Sequence, residues 1–414
     1  MKVNKWTLGL AAAGLVSLPA GTQAEEKPSA VMTALSSTVI SGYVNTSAEW
    51  NPGTGNAFVP GFAFNPGKQD GFNLDVVRLT LERPLDEGQW SAGYKVDLIF
   101  GPDANGLATA SAGPSFATSD FGVKQAYVDL RAPIGNGLDL KLGVWDTIIG
   151  YETFDAGSNP NYTRSYGYTI EPTTHTGLLG TYQVSSALAL SAGIANTFGP
   201  TINARANPPK AESYKTYMGS IALTAPESFG FAKGATLYGC VINGFNAAAH
   251  AGVGGQQTSY YVGATVPTPL AAMKVGAAFD YHRAGSLPGA VPALAHTDQQ
   301  AAAAYVSIQA TEKLSLHARG EYFWQDESLA AAQLAAATLA GAPPPSVGVL
   351  PSKAIGVTGT IQYDLWKNVL SRLEVRWDHA ANGRGAYGGD LSNPPASGDK
   401  KNAVLVAANM IYKF

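Results

Sequence analysis

The sequence NAVLVAANMIYKF, from Asn402 to Phe414, alternates in character up to the last residue. Every second position from Val404 to Phe414 is apolar or aromatic, whereas Asn409 and Lys413 fall on the other face. A period of two indicates a β-strand. Because the ends of soluble domains are usually frayed, a strand that continues to the final residue predicts a sheet that closes by pairing its last strand with its first.

The aromatic ending has a second implication. A terminal Phe with apolar or aromatic residues at every second position before it resembles the carboxy-terminal signal of bacterial outer-membrane β-barrels. On this resemblance we expect Met410, Tyr412 and Phe414 to act as an assembly signal that the barrel-assembly machinery recognises.

The beginning of the chain predicts secretion. Lys2 and Lys5 precede a short apolar run from Thr7 to Leu18, and small residues lead to a cleavage site after Ala24. This order is typical of a signal peptide, and the run is too short to span a bilayer. The predicted organisation is a signal peptide at 1–24, a short periplasmic leader at 25–37 and a transmembrane β-barrel at 38–414.

The composition narrows the class of protein. Only 14% of the 414 residues are charged, 47 are Gly, and the mean hydropathy is −0.01, whereas about 25% charged residues is typical of soluble domains. Removal of the signal leaves 25 basic against 30 acidic residues, which argues against a nucleic-acid partner. The lone Cys240 excludes an internal disulfide.

Sixteen alternating segments follow one another along the mature chain. Short links join every even segment to the next, such as Ser185–Ala187, whereas long links rich in Gly, Pro and Asn follow the odd ones. Alternation of short periplasmic turns with long outer loops is typical of transmembrane barrels. The segments begin near Thr38, Asn73, Trp90, Val123, Leu138, Thr176, Leu188, Thr216, Ala235, Thr258, Met273, Ala302, Leu314, Ala354, Val369 and Asn402.

These features predict an all-β fold, a transmembrane antiparallel up-and-down β-barrel of about 16 strands. An open sheet edge in hydrocarbon would leave backbone groups without partners, so the sheet must close. A barrel of this size is too wide for its side chains to fill and leaves an aqueous channel. An even strand number places both termini in the periplasm, with outer-membrane lipid around the wall.

Charged residues recur on the inward face of the predicted strands. Two roles are open for the ladder of Arg372, Glu374, Arg376 and Asp378: lining of the pore, or pairing across strands that only holds the wall. Contact with water is expected in either case. The predicted pore-lining residues are Lys95, Asp97, Lys141, Arg319, Glu321, Arg372, Glu374, Arg376 and Asp378.

The third long link, Asp146–Thr173 (loop 3), is the candidate functional element. We expect it to fold into the barrel and narrow the pore, where fixed charges decide which ions pass; the alternative is that it lies outside. Its acidic balance, with the mature charge, predicts a weak cation preference. The predicted constriction residues are Asp146, Glu152, Asp155, Arg164 and Glu171.

Sequence signatures of catalysis are missing. The chain has no His-Glu-x-x-His, Gly-x-Ser-x-Gly, phosphate-binding loop or Cys-x-x-Cys, and its six histidines lack metal-ligand spacing. We therefore expect no catalytic residue, no metal and no cofactor. The favoured function is passive diffusion of small hydrophilic solutes and ions; the alternatives are a substrate-specific channel and, less favoured, an outer-membrane enzyme or adhesin.

One string of motifs supports a family assignment. It resembles the β-barrel porin family described as OmpL-like, and the likeness extends loosely over most of the mature chain. The resemblance implies an outer-membrane channel and assigns no substrate. By analogy with other sixteen-stranded porins, a homotrimer is expected. The motifs are Gln125–Val128, Lys141–Glu152, Asn161–Tyr166, Glu171–Pro172 and His175–Gly177.

Overall fold

The computed structural model describes most of the region predicted to form the barrel. The described residues are 38–55, 57–61, 68, 70–86, 90–107, 109, 120–206, 214–245, 256–285, 296–328, 330, 347–390 and 398–414. The predicted signal peptide and periplasmic leader lie outside the described residues.

Sixteen antiparallel strands in this part of the chain form one closed barrel, in which each strand pairs with its neighbours in sequence. The predicted fold class is confirmed, and the largest error in a strand start is at β12, which begins at His296 instead of Ala302. The strands are β1 Val39–Trp50, β2 Gly71–Arg83, β3 Ser91–Phe100, β4 Phe121–Ala132, β5 Leu138–Asp146, β6 Thr174–Ser185, β7 Leu188–Ala195, β8 Thr216–Thr224, β9 Thr236–Phe245, β10 Gln256–Pro267, β11 Met273–Gly285, β12 His296–Gln309, β13 Leu314–Gln325, β14 Lys353–Trp366, β15 Val369–Ala380 and β16 Asn402–Lys413.

The last strand closes the barrel against the first. β16 pairs antiparallel with β1 over eight positions, from Tyr43 opposite Lys413 to Trp50 opposite Val406. Beyond them, the Gly42 N–H donates to the Phe414 carbonyl at 2.9 Å, and the Phe414 N–H donates to the Gly42 carbonyl at 3.0 Å. The predicted pairing of the last strand is therefore confirmed, and closure removes the edges that hydrocarbon does not tolerate.

Short turns gather at one end of the barrel and long loops at the other. Two short strands in the long loops, Phe58–Pro60 and Val347–Val349, form a parallel pair of their own. Helix α1 (Pro102–Leu107) follows β3, while a 3-10 turn (Ala156–Ser158) and helix α2 (Tyr166–Ile170) lie in loop 3; a further 3-10 turn, Glu227–Ala232, follows β8. No helix in the described part of the chain is long and apolar enough to cross a bilayer.

The two faces of the wall differ as predicted for most strands. On β3, Tyr94 and Phe100 are exposed on the outer face, whereas Lys95 is half-buried and Asp97 fully buried on the inner face. Exposed apolar side chains occur on the outer face around the barrel. An apolar outer face of this kind is what a wall that lies in a bilayer requires.

The inner face of β6 to β9 departs from this rule because it is apolar. On β9, Leu237 and Val241 are exposed on the outside, while Tyr238, Cys240 and Ile242 are buried on the inside. With both faces apolar, the facing of this strand was ambiguous in the sequence. The apolar inner face indicates that something other than water packs against it.

Candidate functional site

Loop 3 begins from a neck at the ends of β5 and β6. The Thr147 N–H donates to the Thr173 carbonyl at 2.9 Å, and the Thr147 hydroxyl lies 3.1 Å from His175 Nε2. Asp146 forms an ion pair with Lys124 of β4. These contacts hold the two ends of the loop together, so the residues between them project as one unit.

The motif residues around the neck have identifiable packing roles. Gly143 has a φ of 139°, and a Cβ there would overlap the Ala126 carbonyl. The Trp145 indole N–H donates to the Gly177 carbonyl at 3.3 Å, and its ring lies against His175 with centroids 5.3 Å apart. The glycines therefore allow the close strand approach from which the loop departs.

An apolar contact fixes the first part of the loop. Ile148 and Ile149 are buried in one cluster with Leu179, Met218 and Ile242, which come from the apolar inner face of β6 to β9. The Tyr238 hydroxyl, from the same face, also donates to the Ile148 carbonyl. Full burial of such a side chain stabilises a fold by about 1.5–3 kcal/mol. This contact explains why the inner face of β6 to β9 is apolar.

Glu152 joins the loop to a charged part of the wall. Its Oε1 accepts from Arg319 of β13 at 2.8 Å and from the Tyr305 hydroxyl of β12 at 3.1 Å. Its Oε2 accepts from the Ser165 N–H at 2.8 Å. The carboxylate is thus fully partnered, as a buried charge requires.

Asp155 joins the loop to β1 and β2. It accepts from the Tyr43 hydroxyl at 2.8 Å and forms an ion pair with Arg78. Burial opposes its ionisation, but the charges of Arg78 and Lys124 outweigh burial and hold the pKa of Asp155 well below its usual range. Asp155 is therefore ionised at neutral pH inside the barrel.

Backbone groups of the loop replace water around the inward charges of β15. The Glu374 carboxylate accepts from the Tyr162 N–H at 2.6 Å, the Thr163 N–H at 2.9 Å and the Thr163 hydroxyl at 2.6 Å. Arg376 donates to the Arg164 carbonyl at 2.6 Å. Arg372 donates to the carbonyls of Ala156 at 2.7 Å and Asn159 at 2.5 Å.

Helix α2 continues this attachment. The Tyr166 N–H donates to Glu321 of β13 at 2.6 Å, and the Tyr166 hydroxyl donates to Asp378 of β15 at 2.7 Å. The Arg376 guanidinium lies 5.0 Å from the centre of the Tyr166 ring. Within the loop, Arg164 donates to the carbonyls of Thr153, Tyr162 and Phe154. Hydrogen bonds within the loop therefore add to those that join the loop to the wall.

Glu171 lies against another carboxyl group, that of Asp280 on β11. Burial raises the pKa of Glu171 well above its usual value, and the neighbouring Asp280 raises it further. Glycines leave room for this pair, because a Cβ on Gly150 would overlap Glu171 and one on Gly167 would overlap Asp280. Glu171 therefore keeps its proton at pH values at which an exposed glutamate is ionised.

The predicted contact with water is wrong for three residues of the β15 ladder. Arg376 is 0% exposed, and Glu374 and Asp378 are each 1% exposed, whereas Arg372, which is 4% exposed, borders an internal cavity. Loop 3 covers them and supplies hydrogen bonds that water would otherwise make. Pairing also occurs within the ladder, since Arg376 and Asp378 lie 2.8 Å apart.

The other predicted wall residues also face inward. Asp97 is fully buried beside Arg78, Thr80 and Gln125, and Arg319 and Glu321 pair with each other at 3.0 Å. Lys95 pairs with Glu82 at 3.3 Å, and the Lys141 ammonium lies 4.9 Å from the centre of the Tyr127 ring. Most of these charges have protein partners instead of bulk solvent.

Open space remains between loop 3 and the short-turn end. A cavity of about 680 Å³ is bounded by Gly150, Tyr151, Thr153 and Gly157–Pro160 of the loop and by inward residues of β9 to β15, and it reaches Ala271 and Ala272 in a short turn. Sequence reasoning did not assign Tyr151, Lys274 or His317 to a site, although all three line this cavity. Side chains alternate between the two faces of a strand, so counting positions from each short turn could have placed Lys274 and His317 on the inward face.

Comparison with known proteins identifies the family. A family profile described as "Putative beta-barrel porin-2, OmpL-like" matches residues 37–414. The chain belongs to this family of β-barrel porins. The porin is accordingly an outer-membrane channel protein, as the motif string predicted. No curated protein sequence matches it.

Solved structures share the fold of this porin at low sequence identity. The outer-membrane channel DcaP of Acinetobacter baumannii is 13% identical with a TM-score of 0.55, covering 91% of this chain and 97% of its own. An anion-selective porin from Comamonas acidovorans is 11% identical with a TM-score of 0.60, covering 91% and 99%. OmpF of Salmonella typhi, in complex with daunomycin, is 13% identical with a TM-score of 0.54, covering 91% and 97%.

Proposed function

We propose that this porin lets small hydrophilic solutes and ions diffuse passively across the outer membrane, through an opening that loop 3 narrows. The observation that supports this most is the attachment of loop 3 to opposite parts of one closed wall. Ile148 packs against β6 to β9, whereas Tyr162 and Tyr166 bond to β13 and β15. A loop held on both sides cannot leave the lumen without breaking buried contacts.

The predicted constriction residues serve mainly to position the loop. Asp146, Glu152 and Asp155 are each paired with a wall cation, and Arg164 donates to carbonyls of the loop. Burial and the neighbouring Asp280 raise the pKa of Glu171, which favours its uncharged form. Charges that are neutralised by partners contribute little field to the open space. We propose that they set the width of the constriction through the loop they hold.

The short-turn end and both termini face the periplasm in this proposal. Short periplasmic turns and long outer loops are the general arrangement of such barrels. The exposed apolar outer face contacts lipid, and Met410, Tyr412 and Phe414 present the assembly signal to the barrel-assembly machinery. A homotrimer is part of the proposal, supported by the fold it shares with a trimeric form of OmpT from Vibrio cholerae. We assign the chain a transport role and no catalytic role.

Planar-bilayer recording tests the channel function. Purified, refolded porin should add stepwise conductance, and liposomes containing it should swell in sugars up to a size limit. A preparation refolded in parallel but heated until the barrel unfolds is the matched control. Folded barrels that add no conductance and admit no sugar would overturn the proposal.

A further inference from the structure

The cavity under loop 3 has an unbalanced set of charges. Its described lining contains Lys274 and Arg372, together with His317, and includes no Asp or Glu. Serine, threonine and tyrosine hydroxyls make up much of the remaining polar surface. A cleft lined by one sign of charge raises the local concentration of ions of the opposite sign.

Lys274 contributes a charge that the described part of the protein does not cancel. It is exposed at the short-turn end of β11, on the same face as the buried Ala278 and Asp280. Among the described residues, no carboxylate lies within ion-pair distance of its ammonium group. Its charge is therefore available to solutes inside the cavity.

Arg372 adds a second positive charge whose direct partners are neutral. Its guanidinium donates to the carbonyls of Ala156 and Asn159 and to the side-chain oxygen of Gln362 at 3.1 Å. Glu374, two residues along the strand, is directed at the backbone N–H groups of loop 3. The hydrogen bonds orient Arg372 but leave its charge uncompensated by a direct ion pair.

Charges of both signs surround the cavity outside its lining. Lys413 lies beside the loop, since a Cβ on Gly157 would be 3.4 Å from its Nζ, and the carboxylates of Asp364 and Asp155 offset its charge. Glu374 and Asp364 act on Arg372 in the same way. The wall outside the cavity lining is closer to neutral, because Lys95 pairs with Glu82 and Arg131 pairs with Asp139. The excess of positive charge therefore belongs to the cavity lining itself, where the charged side chains are cationic.

The acids that suggested a cation preference do not face this space as free charges. Asp146, Glu152 and Asp155 are each ion-paired with a wall cation. Surface carboxylates elsewhere act weakly here, because salt screens charges beyond about 8–10 Å at physiological ionic strength. The lining charges therefore decide selectivity more than the net charge of the chain does.

We infer that the cavity under loop 3 is an anion-binding vestibule, through which the porin selects small anions over cations. The inference rests on the proposed channel function. Chloride and small carboxylates fit its chemistry: Lys274 and Arg372 supply charge, and the hydroxyl groups supply neutral hydrogen-bond donors. The expected selectivity has the opposite sign to the one that overall composition predicts.

Reversal potentials of the full-length mature porin in a potassium chloride gradient test this inference. The wild type should pass chloride in preference to potassium. One charge at about 4–8 Å in water attracts chloride and repels potassium by roughly two- to sixfold each. Lys274→Gln should therefore lower the chloride-to-potassium permeability ratio by roughly fivefold or more before screening by salt, and Lys274→Glu should lower it further. Lys313→Gln is the matched control, because Lys313 is exposed in a neighbouring short turn outside the cavity lining.

The outcomes separate the two proposals. Channels that conduct but prefer potassium, or whose permeability ratio is unchanged in both Lys274 variants, would overturn the vestibule and leave the channel function standing. Folded barrels without conductance would overturn the channel function itself. Raising the salt to 1 M should weaken the wild-type preference, since the screening length falls to about 3 Å.

Discussion

The Arg319 guanidinium donates to the Glu152 carboxylate at 2.8 Å, and both side chains are fully covered, with 0% exposure each. Arg319 belongs to the barrel wall and Glu152 to loop 3, so the ion pair attaches the loop to the wall. Removal of one partner from a buried pair costs about 3–5 kcal/mol, because a charge is left without compensation. The position of loop 3 is therefore coupled to the free energy of unfolding of the barrel.

Glu374→Gln should loosen the middle of the loop. An amide replaces one of the oxygens that accept from Tyr162 and Thr163, so a buried donor loses its partner at a cost of about 1–3 kcal/mol. Hydrogen exchange of the peptide covering 159–166 should become faster than in the wild type. Glu312→Gln, in an exposed short turn, should change nothing; equal protection of the loop in all three proteins would contradict the assigned role of Glu374.

Gly276→Ala should disturb the roof of the cavity. A Cβ on Gly276 would overlap the Tyr151 hydroxyl, whose ring stacks on Tyr305 with centroids 4.1 Å apart. Overpacking of this kind costs about 1–3 kcal/mol, and displacement of Tyr151 into the cavity should lower single-channel conductance. Gly320→Ala is the control, because nothing lies within 4 Å of a Cβ there; a conductance equal to that of the control would count against the prediction.

Stability should fall as the pH rises through the titration of Glu171. Burial and the neighbouring Asp280 raise the pKa of Glu171 in the folded state. The stabilisation that Glu171 gives the folded state is therefore fully present below about pH 4.3, the pKa of an exposed glutamate. It is lost as the pH rises past the raised pKa of the folded state. Thermal unfolding in detergent should shift to lower temperature at alkaline pH. In Glu171→Gln this slope should flatten, and an unchanged slope would exclude Glu171 as its source.

Phe414→Ala should reduce assembly more than stability. The Phe414 side chain is 42% exposed on the outer face, while the hydrogen bonds to Gly42 use only its backbone. Refolding in detergent should therefore be close to that of the wild type, whereas the amount inserted in the outer membrane should fall. Trp366→Ala replaces another exposed aromatic near the same rim; equal losses in both variants would argue against a specific signal.

The strands of the wall could be predicted from the sequence, because a wall that lies in lipid needs apolar residues at every second position. Strands such as β3 show clean alternation, and the lengths of the links reveal which end each strand meets. The start of β12 was missed because His296–Gln300 is polar on both faces and gives no apolar period, yet it pairs with β11. Pairing with a neighbour decided that boundary, and a single segment does not contain this information.

The contacts inside the barrel were less predictable, because inward residues follow no fixed pattern of polarity. Arg376 would have the same sequence signature whether it met water or the carbonyl of Arg164. The apolar side chains of β9 were ambiguous for the same reason, since their partner is Ile148, which lies far away in the chain. Loop 3 could be selected from its composition and its position, but its contacts depend on register around the whole barrel.

Single-channel conductance of Arg319→Met against the wild type tests the central claim most directly. If buried pairs hold loop 3 across the lumen, the wild type should conduct in small, uniform steps, and the variant should conduct in larger or more variable steps with a lower unfolding temperature. The exposed variant Lys313→Gln should match the wild type. Uniform steps of wild-type size from a correctly folded Arg319→Met barrel would contradict the account.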